Sequence, residues 1–198
     1  MNVVVVKLGG GNTASVLFAL ERLGARATLS DDPRAVAEAE RVVLPGVGAA
    51  GAAMRAIEAR GLREVLSSFP RALLGVCLGQ QLLYASSEEG EARGLERLSG
   101  AVRRLPASTR TPIPHMGWSR LALTQEHPLT EGVGEGAYVY FVHSYVCPLG
   151  PETIATATHG CAFPAMVARG AVMGCQFHPE RSGAIGARIL ANFLRLPC

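Results

Sequence analysis

Residues 71–79 read Arg71-Ala72-Leu73-Leu74-Gly75-Val76-Cys77-Leu78-Gly79. The run to Val76 is apolar and too short for a helix, which predicts a buried strand, and helical sequence to about residue 85 follows at once. A cysteine at that junction, two residues from a glycine on either side, predicts a sharp turn. Glycine lets the backbone pass without a Cβ clash, and the side chain between projects from the carboxyl edge of a sheet. N–H groups at a helix start favour a thiolate, and the N–H of Leu78 is placed to donate to an oxyanion. A small cysteine packed in the core is the alternative, open at this point.

The strand before the cysteine belongs to a series. An apolar β-branched run predicts a strand over 3–8, ended by glycines 9–11, and Asn12 or Thr13 caps a helix that Gly24 stops. A strand over 26–30 and a short helix opened by Asp32-Pro33 come next. Then come a strand over 41–44, the loop Pro45-Gly46-Val47-Gly48, and helical sequence to about 66. Such alternation predicts an α/β fold with a mostly parallel central sheet and helices on both faces. Beyond Gly94 short strands are expected over 100–105, 118–123, 137–145, 153–158, 162–168 and 171–177, as an antiparallel extension. A helix over 182–194 closes the chain, and the 198 residues read as one domain.

Gln176-Phe177-His178-Pro179-Glu180 follows the last of these strands. Residues i and i+2 of an extended segment point the same way, so His178 and Glu180 share a side while Phe177 turns into the core. A base oriented by a carboxylate is what a thiol nucleophile needs. His115, His127, His143 and His159 lack such a partner, and His143 reads as a structural residue of its strand. The Pro45-Gly46-Val47-Gly48 loop lies at the same sheet edge. Its glycines let a peptide swing an N–H toward a substrate carbonyl, although an ordinary turn would look the same.

Composition excludes several classes. Apolar residues make up 48% and charged ones 18%, a globular balance. A net charge of +3, without a basic run interleaved with aromatics, gives no reason to expect nucleic acid. One of the 19 basic residues is lysine, Lys7, which reads as coding bias, and Arg103-Arg104 reads as a solvated strand end. Cys77, Cys147, Cys161, Cys175 and Cys198 show no C-x-x-C spacing, and no secretory leader or membrane span is seen, so a reducing cytoplasm is expected. Cys175 and His178 are three apart, but no second pair completes a metal site. A rival pattern is Gly9-Gly10-Gly11-Asn12-Thr13-Ala14, a G-x-G-x-x-A after a strand with Asp31 and Asp32 downstream, as in dinucleotide-binding folds. It leaves Cys77, His178 and Glu180 without a role.

Together these motifs resemble the class I glutamine amidotransferases, whose nucleophile motif is G-x-C-x-G and whose late motif is H-P-E. Within that family, four pieces resemble the glutaminase subunits of imidazole glycerol phosphate synthases, in histidine biosynthesis. They are Pro45-Gly46-Val47-Gly48-Ala49, Ile113-Pro114-His115-Met116-Gly117-Trp118, Tyr140-Phe141-Val142-His143-Ser144-Tyr145, and residues 174–182 around His178. The resemblance implies Cys77 as attacking thiolate, His178 as proton shuttle and Glu180 as its orienter. It implies that Gln81 and Ser144-Tyr145 hold glutamine, and that the Val47-Gly48 loop completes the oxyanion site with Leu78. It places Asn12, Trp118, Tyr138 and Arg181 against a (β/α)8-barrel synthase partner that receives ammonia, and it implies no cofactor. Lys7-Leu8 departs from the Asp-Tyr that relatives carry there. A glutaminase serving another synthetase, or a stand-alone cysteine hydrolase, shares the triad.

Overall fold

Side chains of the first strand, β1 (Asn2–Val6), alternate between two cores: Val3 and Val5 enter one, Val4 and Val6 the other. The computed structural model describes residues 2–9, 13–109 and 111–197, and this alternation runs through it. After β1 come α1 (Thr13–Arg22), β2 (Arg26–Ser30), α2 (Pro33–Glu38) and β3 (Arg41–Gly46). Then α3 (Ala50–Ala59), α4 (Arg63–Ser68), β4 (Ala72–Cys77) and α5 (Leu78–Leu82) follow. Parallel register aligns Val4 with Val42 and Val42 with Leu73 on one face, and Val5 with Val43 and Val43 with Leu74 on the other. The first set meets Val36, Met54, Ile57 and Leu66 of α2, α3 and α4. The second meets Val16 and Leu20 of α1 and Ile189 and Phe193 near the carboxyl end. Helices therefore cover both faces, which explains why these strands are apolar throughout.

The rest of the chain adds strands in three places. β5 (Tyr84–Ser87), β6 (Ala92–Arg93) and β7 (Leu98–Arg104) start a small sheet, and β8 (His115–Arg120) and β9 (Ala122–Leu123) follow. β10 (Tyr138–His143) pairs with β8 as an antiparallel ribbon, and β11 (Tyr145–Val146) joins β7. β12 (Thr153–His159), β13 (Cys161–Arg169) and β14 (Val172–Cys175) return to the main sheet before α6 (Gly183–Arg195). The eight-stranded sheet runs β2-β1-β3-β4-β14-β13-β12-β9. β14 pairs parallel with β4, and β13, β12 and β9 extend the sheet antiparallel, as the sequence led us to expect. No helix among the described residues is long and apolar enough to cross a membrane.

Several elements end earlier than their patterns predict. The helix expected through about 66 is two, because Gly61 takes φ 66° and the N–H groups of Gly61 and Leu62 return to Glu58 and Ile57. The helix expected through about 85 stops at Leu82. There the carbonyls of Leu82 and Leu83 accept from Leu95 and Leu98, distant partners that draw Tyr84 to Ser87 into a strand. The expected strand over 118–123 starts at His115 and divides at Leu121 between two sheets, and that over 137–145 divides at Ser144. At Leu82, Leu121 and Ser144 tertiary pairing overrides the local pattern, whereas at Gly61 the glycine itself ends the helix.

Candidate active site

β4 delivers Cys77 to the carboxyl edge of the sheet. Its backbone takes φ 54° and ψ −111°, a strained conformation for a residue with a side chain, and the chain enters α5 at the next residue. The flanking glycines are a steric requirement. A Cβ on Gly79 would lie 1.7 Å from the Leu44 carbonyl oxygen, and one on Gly75 would lie 2.6 Å from the Gly79 carbonyl. Only with both absent can α5 lie against β3 and β4. Leu78 is the first residue of α5, so its N–H has no carbonyl partner within the helix.

β14 lies beside β4 with Cys175 opposite Val76, which carries the segment after it toward the cysteine. His178 is fixed through its backbone: its N–H donates to the Tyr140 carbonyl at 2.9 Å, and its carbonyl accepts from Ser182 Oγ at 2.7 Å. Ser182 Oγ in turn accepts from the Tyr140 N–H, so β10 holds the whole motif. Nδ1 of His178 donates to Glu180 Oε1 at 2.8 Å, and the Glu180 side chain is wholly buried. Nε2 is buried with no oxygen or nitrogen partner among the described residues, and Cys77 is the neighbour that acts on it. Burial alone would lower the pKa of this imidazole. The Cys77 sulfur and the Glu180 carboxylate outweigh that effect and push it up to about 10. Near neutral pH the ring is therefore an imidazolium, able to give up a proton.

Cys77 is only 6% exposed, yet it opens onto a cavity of about 290 Å³ together with His178, Leu78 and Gln81. Val47, Gly48, Ser144 and Tyr145 line the same cavity. The sequence-predicted substrate and oxyanion residues thus converge, drawn from β3, β4, α5 and the β10–β11 junction. The 47–48 loop reaches the site because Gly46 pairs with Cys77 across the sheet, and Gly48 takes φ 87°. The expected partner residues lie elsewhere. Trp118 and Tyr138 are 54% and 48% exposed on the β8–β10 ribbon, where Trp118 pairs with Tyr140 and Tyr138 with Arg120. Arg181 is exposed just past the motif, and Asn12 lies outside the described residues. Lys7 is exposed at the end of β1.

Gln176 had no role assigned from sequence. Its Nε2 donates to the Cys77 sulfur at 3.7 Å, and its Oε1 accepts from Gln81 Nε2 at 2.9 Å. No local signal marked it, because β14 ends at Cys175 and Gln176 sits in the bend that follows, where Gln81 and Cys77 reach it from other elements. Glu89, which lines the cavity and accepts from the Ala50 N–H at 2.8 Å behind the 47–48 loop, had no local signal. The acids that the dinucleotide alternative requires are engaged otherwise. Asp32 caps α2 through the Arg34 N–H, and Asp31 pairs with Arg60 at 3.5 Å.

Residues 4–196 match the family described as glutamine amidotransferase class-I. The imidazole glycerol phosphate synthase subunit HisH of Xylella fastidiosa (strain 9a5c) is 47% identical over 194 residues, covering 98% of this chain and 97% of that protein. The subunit of the same name from Xanthomonas axonopodis pv. citri (strain 306) is 46% identical over 195 residues, 98% of each. A solved glutamine amidotransferase superposes with a TM-score of 0.75 at 22% identity, covering 98% of this chain and 97% of the other, a likeness of fold. Matched along nearly its whole length in sequence and in fold, this chain belongs to the class-I glutamine amidotransferases.

Proposed function

We propose that the chain is the glutaminase subunit of an imidazole glycerol phosphate synthase, hydrolysing glutamine to glutamate and ammonia. One observation carries the chemistry: His178 gives one ring nitrogen to a buried carboxylate at 2.8 Å and leaves the other for the Cys77 sulfur, at the wall of a cavity. The likeness to subunits so named supports the choice of synthase.

The Cys77 thiolate attacks the carboxamide carbon of glutamine. The oxyanion that forms is met by the Leu78 N–H and by the loop at Val47 and Gly48. As the C–N bond breaks, Nε2 of His178 gives its proton to the nitrogen, which leaves as ammonia. The γ-glutamyl thioester remains. His178, now neutral, takes a proton from water, the hydroxide adds to the thioester, and collapse releases glutamate and the thiolate. Glu180 stabilises the imidazolium at both ends of the cycle, while Gln81, Ser144 and Tyr145 hold the substrate.

Ammonia passes to a (β/α)8-barrel subunit that docks on the face bearing Trp118, Tyr138 and Arg181, the two forming a heterodimer. Aromatic residues exposed together on one ribbon fit such a docking surface. The free thiols of Cys77, Cys147, Cys161 and Cys175 are at home in a reducing cytoplasm.

The test is Cys77→Ala in complex with the barrel subunit. Glutamine-dependent synthesis should vanish while synthesis from added ammonia persists, and a glutamine-analogue diazo-ketone should label the unaltered chain at Cys77. Glutamine turnover that survives the substitution would remove the nucleophile. Failure to co-purify with the barrel would point to a glutaminase serving a different synthetase.

A further inference from the structure

Two buried imidazoles beside the cavity have no part in the chemistry above. His143 on β10 and His115 on β8 pair across the ribbon, with Nδ1 of His115 3.0 Å from Nε2 of His143. His143 Nδ1 lies 2.9 Å from the Tyr145 carbonyl oxygen, and His115 Nε2 lies 2.9 Å from Ser119 Oγ. With both rings neutral, the carbonyl fixes every proton. It can only accept, so His143 Nδ1 carries the hydrogen and its Nε2 accepts. His115 Nδ1 must then donate, its Nε2 must accept, and the Ser119 hydroxyl donates into it. Both histidines are Nδ1–H tautomers, the less favoured form of an imidazole in water.

The surroundings keep the rings neutral. Phe141 stacks on His115 at 4.9 Å, Phe163 meets His143 edge-on at 4.9 Å, and His159 stacks on His115 at 4.3 Å. Burial pushes His143 down to about 3 and His115 to about 4, and the imidazoles packed around each oppose a further positive charge. At its inner end the chain meets the substrate wall. The Tyr145 carbonyl accepts a second bond from Gln81 Nε2 at 2.9 Å, and Gln81 reaches the sulfur through Gln176. The Ser144 carbonyl accepts from the Leu105 N–H at 2.9 Å. His143 Nδ1 and Gln81 Nε2 are thus the two side-chain donors on the Tyr145 carbonyl, whose strand β11 is also paired with β7.

We propose that His143 and His115 are positioning residues of the glutaminase site, a neutral pair of fixed tautomer that holds the Tyr145 carbonyl, and through it Gln81, in place to receive glutamine. The role rests on the glutaminase reading; the tautomers do not. Long-range 15N–1H correlation spectra of the full chain near neutral pH should show the Nδ1–H pattern for both rings. An Nε2–H pattern or an imidazolium on either would overturn the arrangement.

Kinetics of the complex supply the second arm. His143→Phe keeps a ring against Phe141 and Phe163 but removes the donor, and KM for glutamine should rise about tenfold while kcat stays within about twofold. His143→Asn, whose amide nitrogen falls near the place of Nδ1, should recover most of that loss. A fall in kcat at unchanged KM, or no recovery with Asn, would refute the positioning role. An unaltered complex without glutaminase activity would remove the glutaminase reading, and this role with it, whatever the spectra show.

Discussion

Glu180→Gln isolates the charge behind His178. The carboxylate accepts the Nδ1 proton at 2.8 Å and its side chain has no solvent exposure, so water does not screen it. Glutamine has nearly the same shape and can still accept at that position, which leaves packing intact and removes only charge. A hydrogen bond to a charged group contributes about 1.5–3 kcal/mol, against about 0.5–1.5 for a neutral pair. The difference, about 1–2 kcal/mol in a buried site, corresponds to roughly 0.7 to 1.5 pKa units. His178 should therefore fall from about 10 by that amount. The imidazolium forms in every turnover, so kcat for glutamine should drop by about 5- to 30-fold. The assay is the pH dependence of kcat for the complex, with thermal unfolding of the variant chain as the control for folding, and an NMR titration of His178. A variant with kcat within about twofold of the parent and an unmoved His178 titration would refute the carboxylate's role.

Two further outcomes follow from the site's construction. Gly79→Ala places a Cβ 1.7 Å from the Leu44 carbonyl, so β3 or α5 must shift; we expect a loss above about 3 kcal/mol, and thermal unfolding close to that of the parent would contradict the steric argument. Between about 6.5 and about 10 the native state holds a proton on His178 that the unfolded chain has released. Unfolding free energy should be undiminished by this group below 6.5 and fall as pH rises through that window. In urea titrations Cys77→Ala, which removes one of the two groups holding the proton, should flatten that slope; an unchanged slope would count against the pairing.

The strand–helix succession and the glycine frame of Cys77 were legible because each rests on local geometry. His178 does meet Glu180, but through a 3-10 turn over Pro179–Arg181 and not along the extended segment expected, since β14 ends at Cys175. Period-two alternation sorts Val3 to Val6 between faces wherever the strand lies, and a Cβ clash needs only neighbouring elements. The cap at Asp32 was legible for the same reason. Less was legible after Gly94. Leu121 and Ser144 mark points where one apolar run is shared between two sheets, and nothing in the run shows which sheet takes each half. The end of α5 at Leu82 was hidden likewise, since Leu95 and Leu98 supply the competing donors.

By itself the sequence determined that a thiol would sit on a strained turn at a sheet edge and that an imidazole would come with its own carboxylate. Both follow from backbone sterics and side-chain direction over a few residues. Only the tertiary structure decided that β14 lies against β4, so that the imidazole reaches the sulfur and Gln176 donates to it. It also decided that His115 and His143, unremarkable along the chain, meet across a ribbon and share protons in one order. Hydrogen bonds between residues far apart in the chain have no local signature, because what fixes them is the pairing of strands.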